Sequence, residues 1–462
     1  MKGAPDQLLA RAATVFDADT GAAPADGEFR ERYLAENQRL GEQGLRVLAT
    51  ARKDFDAATF DPGADLLPLV SELELLTLVG IVDPPRPTAK DSIATAKAAG
   101  IRVRMITGDH AVTAAAIARQ LGIDGTVITG AEFAAMSDDE LTTGIDDIGV
   151  IARVTPEHKV RLVDTLKKKG QIVAMTGDGV NDAPALKRAD IGIAMGITGT
   201  EVTKEAAVMI LTDDNFSTIV KAVELGRGLY DNLTKYIRFQ MGALFGFIVS
   251  FLGAAIFNIA GGVPFLPLQT LWINFTTLLF QGLGLGYGEP ASGLMERKPR
   301  PPDRPILTRG VIIWLVAAGL VMGTGTLGVA SWAEQERSAA VAHTMALVTF
   351  SLSTLFFSIT TRDERRTVFS LDTFSDRTFN IATIASVLTL ILATVLKPLQ
   401  SLLEATSIDV QQWLICICVG LAIVVVSEIR KAIRRRAAGA VPVGQSVPSP
   451  AGATGVTLHQ DA

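Results

Sequence analysis

Six apolar runs, at residues 241–260, 264–286, 310–332, 341–360, 379–396 and 413–426, fill most of the chain between 235 and 436 and are nearly free of charge. Most reach the ~20 residues needed to cross a bilayer as a helix. The last is short but extends through Ile429. Buried helices of a large soluble core would not require six such runs in so short a stretch. The pattern predicts an all-α membrane domain of six transmembrane helices over 235–436.

The short loops orient these helices. Loop 287–308 holds Arg297, Lys298, Arg300 and Arg304, and loop 361–378 holds Arg362, Arg365, Arg366 and Arg377. The alternate loops carry no cation near Gly261, then Arg337 alone, then Lys397 alone. Cytoplasmic loops hold the excess of Lys and Arg. The expected protein is therefore multi-pass in the cell membrane, with its N-terminus, its C-terminus and the Lys431, Arg434, Arg435 and Arg436 cluster in the cytoplasm. The first residues contain no apolar stretch long enough for a signal peptide. The tail, 437–462, is rich in Gly, Pro, Ser and Val and is expected to be disordered.

The front half alternates. Apolar strands are expected at 75–82, 101–106, 150–154, 171–175, 191–195 and 207–211, with amphipathic helices at 88–99, 110–121, 156–169 and 182–188. Such interleaving predicts a Rossmann-like α/β domain, a parallel sheet with helices on both faces. A net charge of −5 gives no sign of a nucleic-acid partner. The two cysteines, Cys416 and Cys418, lie two apart in an apolar helix and point to opposite sides. That placement argues against a disulfide framework or a zinc site.

Ligands of parallel sheets sit at the carboxyl ends of strands, and three signals fall there. The 101–106 strand runs into Thr107-Gly108-Asp109. The 171–175 strand runs into Thr176-Gly177-Asp178-Gly179-Val180-Asn181-Asp182. Lys159 lies in the helix that opens after Thr155-Pro156-Glu157. Gly108, Gly177 and Gly179 let backbone amides approach a phosphate. Thr107 can donate a hydroxyl to a phosphoryl oxygen, and Lys159 can neutralise phosphoryl charge. Asp178 and Asp182 suit a hard cation such as Mg²⁺, and Asn181 adds an uncharged donor. Thr-Gly-Asp alone is an ordinary turn. The three signals together, in this order, make a phosphate site.

With these residues in place, the segment TGDGVNDAPALKRADIGIAMGITGTEVTKEAAVMILTDDNFSTIV resembles the hinge and magnesium segment of the P-type cation-transporting ATPases. These are membrane pumps whose phosphorylation domain is of haloacid dehalogenase type. Asp83-Pro84-Pro85-Arg86-Pro87 resembles the family's return from the nucleotide domain. Thr107-Gly108-Asp109 matches its phosphate-site loop and Lys159 its phosphate-site lysine. Lys2-Gly3-Ala4-Pro5 resembles the element whose lysine lines the ATP pocket, and Gly44 to Leu48 the element whose arginine, here Arg46, reaches ATP phosphates. Leu266 to Asn274 resembles the sixth membrane helix of the calcium and sodium/potassium branch. The resemblance implies a remnant of the nucleotide-binding domain at 1–82, a phosphorylation domain at 83–234 and the membrane domain at 235–436. It also implies ATP, Mg²⁺, a transported cation and a lipid bilayer as cofactors and partners.

The chain also departs from the family pattern. No Asp-Lys-Thr-Gly, the motif of the phosphorylated aspartate, occurs in the 462 residues. The chain starts inside the nucleotide domain, so the α/β domain is expected to be incomplete at its N-terminus and to lack a central strand. An exposed interior edge of that kind is an aggregation hazard. The chain reads as the C-terminal part of a pump, from a truncated gene, a broken frame or a split protein whose N-terminal half is a separate partner chain. It is expected to be inactive alone. In the membrane, Asn274 and Thr277 match polar positions of the sixth helix and are the transported-ion candidates; three apart, they are expected to share a helix face. Leu278 and Phe247 stand where the family has acids, and Ser351 at the acidic position of the eighth helix. No Asp or Glu lies mid-span, which does not support calcium selectivity.

Smaller features have plain readings. His343 is a helix-packing residue. Thr349, Ser351, Ser353 and Ser358 are interhelical hydrogen-bonding residues. Trp332 and Trp413 are interfacial anchors, and Asp213-Asp214 is a helix cap. Two other function classes compete. A pump remnant that binds nucleotide or a partner without turnover is the alternative. A free-standing haloacid dehalogenase phosphatase with a membrane anchor fails, because that class also requires a nucleophilic aspartate on its first strand.

Overall fold

The computed structural model describes residues 1–17, 21–56, 60, 66–81, 85–363, 367–368 and 376–437. Val82, Asp83 and Pro84 at the expected domain junction, Arg365 and Arg366 of the second basic loop, and the tail from 438 on lie outside the described residues. The chain divides into two compact units. One is 1–225 with 293–300, and the other is 226–292 with the residues from 301 on.

The first unit begins with a five-stranded sheet of β1 (Lys2–Gly3), β2 (Ala12–Asp17), β3 (Gly21–Pro24), β4 (Arg46–Arg52) and β5 (Leu73–Ile81), in the order β1-β4-β5-β2-β3. Helices α1 (Pro5–Ala10) and α2 (Gly27–Glu42) belong with it. Asp26 caps α2 by accepting from the Phe29 amide at 2.8 Å. Leu8, Leu9, Ala49, Ala51, Leu73 and Leu75 form its core. The strand expected at 75–82 therefore belongs to a mixed sheet, antiparallel to β4, and not to the parallel one. Its neighbour β4 alternates in burial along Leu48 to Arg52, as a strand with one covered face does.

The parallel α/β portion follows. Helix α3 (Pro87–Ala98), strand β6 (Met105–Thr107), helix α4 (Ala111–Leu121) and strand β7 (Thr126–Thr129) come first. Helices α5 (Gly130–Ala135) and α6 (Asp138–Gly144) each open on a capping box, Thr129 with Glu132 and Ser137 with Glu140. Then come β8 (Ile148–Ala152), α7 (Pro156–Lys168), β9 (Ala174–Gly177), α8 (Ala183–Arg188), β10 (Ile191–Met195), α9 (Glu201–Ala206) and β11 (Met209–Leu211). All pairings here are parallel, but they make two sheets of three strands, β6-β8-β7 and β11-β10-β9. The alternation alone predicts one sheet, whereas the reading from the family resemblance has a central strand missing from it, and the division into two sheets has the form of such a gap. The physical reason is that β6 and β9 are both edges, with no strand among the described residues bridging them. Strand β8, buried at every residue, is the middle of its sheet.

The second unit is helical. Its first long helix is α10 (Phe216–Phe257), whose residues from 226 on belong to it. A turn with left-handed backbone at Asn258, Ala260, Gly261 and Gly262 follows, and Glu334 accepts from the Ala260 amide at 2.7 Å. The segment expected as the second span is helical from α11 (Pro267–Trp272) through a π-helical stretch at Ile273–Leu278 to α12 (Leu279–Tyr287). Then come α13 (Arg309–Glu336), α14 (Ala339–Thr361), α15 (Arg377–Val395), α16 (Lys397–Leu403) and α17 (Val410–Ala437). Among the described residues five helices, α10, α13, α14, α15 and α17, are long and apolar enough to cross a membrane. The protein is a multi-pass membrane protein. Cys416 is buried and Cys418 exposed, on opposite sides of α17 as their spacing requires.

Candidate functional site

In the first unit, the residues singled out at the ends of β6 and β9 form two local constellations. Thr107, the last residue of β6, donates its hydroxyl to Asp109 Oδ2 at 2.9 Å and accepts from the Asp109 amide at 3.1 Å. The Val154 and Arg153 amides donate to the Thr107 and Asp109 carbonyls at 3.3 and 3.1 Å. This joins the β6 loop to the segment that opens α7. Around Gly108 a Cβ would meet no atom within 4 Å, so the chain's own packing does not require glycine there.

Lys159, in the second turn of α7, forms an ion pair with Asp182. Asp182 is 6% exposed, and its Oδ2 also accepts from the Asp178 and Gly179 amides at 3.3 and 3.2 Å. The spacing put Asp182 forward as a metal donor beside Asp178. The structure instead commits both of its oxygens to Lys159 and to the loop amides. Gly177 is obligatory for this, because a Cβ there would sit 2.4 Å from Asp182 Cβ. Asp178 is exposed, and its carboxylate makes no hydrogen bond among the described residues. Its carbonyl accepts from the Thr200 amide at 3.0 Å and the Thr203 hydroxyl at 3.3 Å. Asn181 lies exposed in the 3₁₀ turn Val180–Asp182.

No group of three or more His, Cys, Asp or Glu among the described residues could hold a metal ion. Mg²⁺ typically takes one or two carboxylates, keeps several waters and completes its shell with phosphate oxygens. Asp178 fits one position of such a site.

Sequence reasoning missed the loop beyond β10. Asp214 accepts from the Ile197 and Thr198 amides at 3.0 and 2.8 Å and from the Thr198 hydroxyl at 2.9 Å. Burial alone would raise its pKa, but these donors outweigh it and bring the carboxyl down to about 2. The residue that caps α10 is Asn215, whose Oδ1 accepts from the Ser217 amide at 3.0 Å; Asp213 braces that turn through the Asn215 amide at 3.1 Å and the Thr218 hydroxyl at 2.6 Å, which corrects the cap expected at Asp213-Asp214. The signal was present in Gly196 and Gly199, where a Cβ would lie 2.6 Å from Leu211 O and 1.9 Å from Met195 O. Lys2 and Gly3 lie on β1, paired with Thr50 and Ala49 of β4, and Arg46 begins β4. Lys2 and Arg46 are both exposed and share a sheet face, separated by four strand positions, ~14 Å.

In the second unit the ion candidates differ in environment. Thr277 is 2% exposed, whereas Asn274 is exposed and donates to the Thr270 carbonyl at 2.8 Å. Both lie in the π-helical stretch, whose wider i→i+5 turn removes the shared face expected from their spacing. Phe247 packs into an aromatic cluster, with ring centroids 4.4 Å from Phe350 and 5.8 Å from Phe265. Ser358 bonds across helices to Gln281 at 2.7 Å, as expected of it, but the buried Thr349 and Ser351 hydroxyls have no hydrogen-bond partner among the described residues. His343 Nδ1 lies 3.4 Å from the Pro264 carbonyl, a packing contact. Gln281 was not singled out from sequence; it also reaches Ser386 at 3.1 Å and Thr383 at 3.4 Å on α15.

Residues 262–433 match the family model described as cation transporting ATPase, C-terminus. Residues 6–190, and separately 160–223, match haloacid dehalogenase-like hydrolase models. The chain belongs to the P-type cation-transporting ATPases and matches their C-terminal part. It is 40% identical over 437 residues to a probable cation-transporting ATPase F of Mycobacterium tuberculosis, covering 92% of this chain and 47% of that protein. It is 37% identical over 421 residues to a calcium-transporting ATPase of Bacillus subtilis, covering 90% and 46%. With the human calcium-transporting ATPase type 2C member 1 it shares 34% over 440 residues, covering 94% and 46%. The chain thus spans about half the length of the curated relatives it matches. The P-type assignment accounts for a haloacid dehalogenase-type domain and apolar helices in one chain.

Proposed function

We propose that this chain supplies the phosphate-handling loops and the C-terminal membrane helices of an ATP-driven cation pump. The observation that carries the reading is the pair of motif strands, β6 and β9. Both are sheet edges, and both end in the Thr-Gly-Asp loops whose residue types suit phosphate. An extended segment lying outside these residues and carrying the phosphorylated aspartate would pair between them; the chain alone would not turn over. Thr107 would orient a phosphoryl oxygen through its hydroxyl. Lys159, held by Asp182, would present positive charge to the phosphoryl group. Asp178 would hold Mg²⁺, which when bound offsets charge on the transferred group. Lys2, Gly3 and Arg46 would line the ATP site.

In this reading 1–82 is nucleotide-domain remnant, 83–234 the phosphorylation domain and 235–436 a membrane domain of six helices, the second being the continuous helical segment 267–287. Both chain ends would be cytoplasmic. Asn274 and Thr277 would contribute to the cation path. With Leu278 and Phe247 in place of acids, calcium would bind weakly unless carboxylates come from helices outside these residues. The test is cation-stimulated ATP hydrolysis when this chain is co-expressed with an N-terminal half. Turnover should appear only in the pair, respond weakly to micromolar calcium and fall at least ~100-fold in Asp178→Asn. Undiminished turnover in that variant would remove Asp178 from the site. Turnover by the chain alone would overturn the proposed division of labour.

A further inference from the structure

A small cavity of about 20 Å³, room for one oxygen-sized group, lies in the second unit between α10, α13, α14 and α17. Arg238 of α10 and Arg430 and Lys431 of α17 line it, and none of its lining residues is acidic. Lys431 is 2% exposed, with Nζ 3.3 Å from Glu428 Oε1, and that same oxygen also accepts from the Val368 amide at 3.1 Å. The Arg430 guanidinium lies 4.3 Å from the Trp314 ring centroid, which fixes its plane. Thr360 and Ser427 supply hydroxyls to the wall, 3.4 Å apart. Ser427 donates to the Thr360 hydroxyl, which in turn donates to the Phe357 carbonyl at 2.8 Å, so the three cations around a space for one oxygen are what match a phosphate anion.

We propose that this cavity receives a phosphoryl oxygen from an anionic phospholipid headgroup. The lining residues of α13, α14 and α17 lie toward the helix ends that carry basic segments, and Arg238, midway along α10, precedes its apolar run at 241, where the anionic leaflet would attract Lys and Arg. The proposal rests on the cytoplasmic placement proposed above and not on turnover, and its readout is lipid binding, so the two can fail separately.

The experiment titrates the full chain in detergent with phosphatidylglycerol, phosphatidylcholine or inorganic phosphate and follows bound lipid by native mass spectrometry. Phosphatidylglycerol should bind about tenfold or more tighter than phosphatidylcholine. The double variant Arg430→Gln with Lys431→Met should lose about tenfold of that affinity. Equal affinity for the two lipids, or unchanged phosphatidylglycerol binding in the variant, would overturn the proposal. Inorganic phosphate that displaces the lipid at equal concentration would overturn the lipid as the source. If the double variant does not elute as a folded species, Arg238→Gln takes its place and faces the same two outcomes.

Discussion

Asp182 and Asp214 are ordinary letters in the sequence, and their roles follow from what surrounds them. Asp182 is buried and paired with Lys159, so it organises the β9 loop and leaves Asp178 facing outward. A buried ion pair of this kind is worth little net, yet removing one partner strands a charge and costs about 3–5 kcal/mol. Asp214 holds the Gly196 to Gly199 loop through two amides and a hydroxyl. Its folded pKa of about 2 lies below the unfolded carboxyl near ~3.9. The stabilisation is therefore complete above about pH 4 and is lost as pH falls through about 2. Hydrogen exchange at the Ile197 and Thr198 amides, corrected for intrinsic rate, should lose protection across that window. In Asp214→Asn the protection should be lower at neutral pH and nearly flat across the same window. A wild-type profile that is flat there would show that Asp214 does not hold the loop.

Strands and helices were legible where their patterns are local and regular. Strand β10 and the helices opening at Pro87, Ala111 and Pro156 lie within a residue or two of where hydrophobic period and capping signals put them. Strands β2 and β4 passed unread because AATVFD and RVLATAR are short and rich in small residues, with little apolar contrast between their faces. The split of the parallel sheet is set by which strands are neighbours, which no local window contains; only the family resemblance pointed to a missing central strand. The π-helical stretch was likewise invisible, since INFTTL reads as ordinary helix. One helix contact does have a local signature. Gly319 and Gly323 of α13 are four apart, and a Cβ at either would lie 2.5–2.6 Å from Phe245 or Val249 of α10. Small residues at this spacing let membrane helices approach closely. Gly319→Leu should destabilise the α10–α13 contact by about 3 kcal/mol, because one close neighbour is the Phe245 backbone, which has no side-chain freedom to yield. Thermal unfolding of the variant in detergent, with Gly310→Leu as a control at a position where a Cβ meets nothing within 4 Å, measures this. Equal melting of the two variants would mean that α13 does not pack through Gly319.

At the scale of the whole molecule, membrane crossing depends on charge distributed over many loops, which can be read from sequence without knowing any contact. Five helices meet the length and composition of a span, and the segment 267–287, helical throughout with its π-helical middle, is the sixth in the proposed topology. An even number of spans returns the chain to the side on which it began. The count of six and the loop charges are independent features, and in the proposed topology both would put the two ends on one side. Loop 287–308 holds four cations, whereas the turn between α13 and α14 holds Arg337 alone. The test replaces Cys416 and Cys418 and places one cysteine at Gln335, at the end of α13, or at Asp363, just beyond α14. In intact cells an impermeant thiol reagent should label the cysteine at 335 and leave the one at 363 unlabelled until the membrane is opened. The reverse pattern would invert the orientation. Labelling of both positions, or of neither, in intact cells would put α14 on one side of the membrane and reduce the number of crossings, which would also remove the agreement between span count and loop charge.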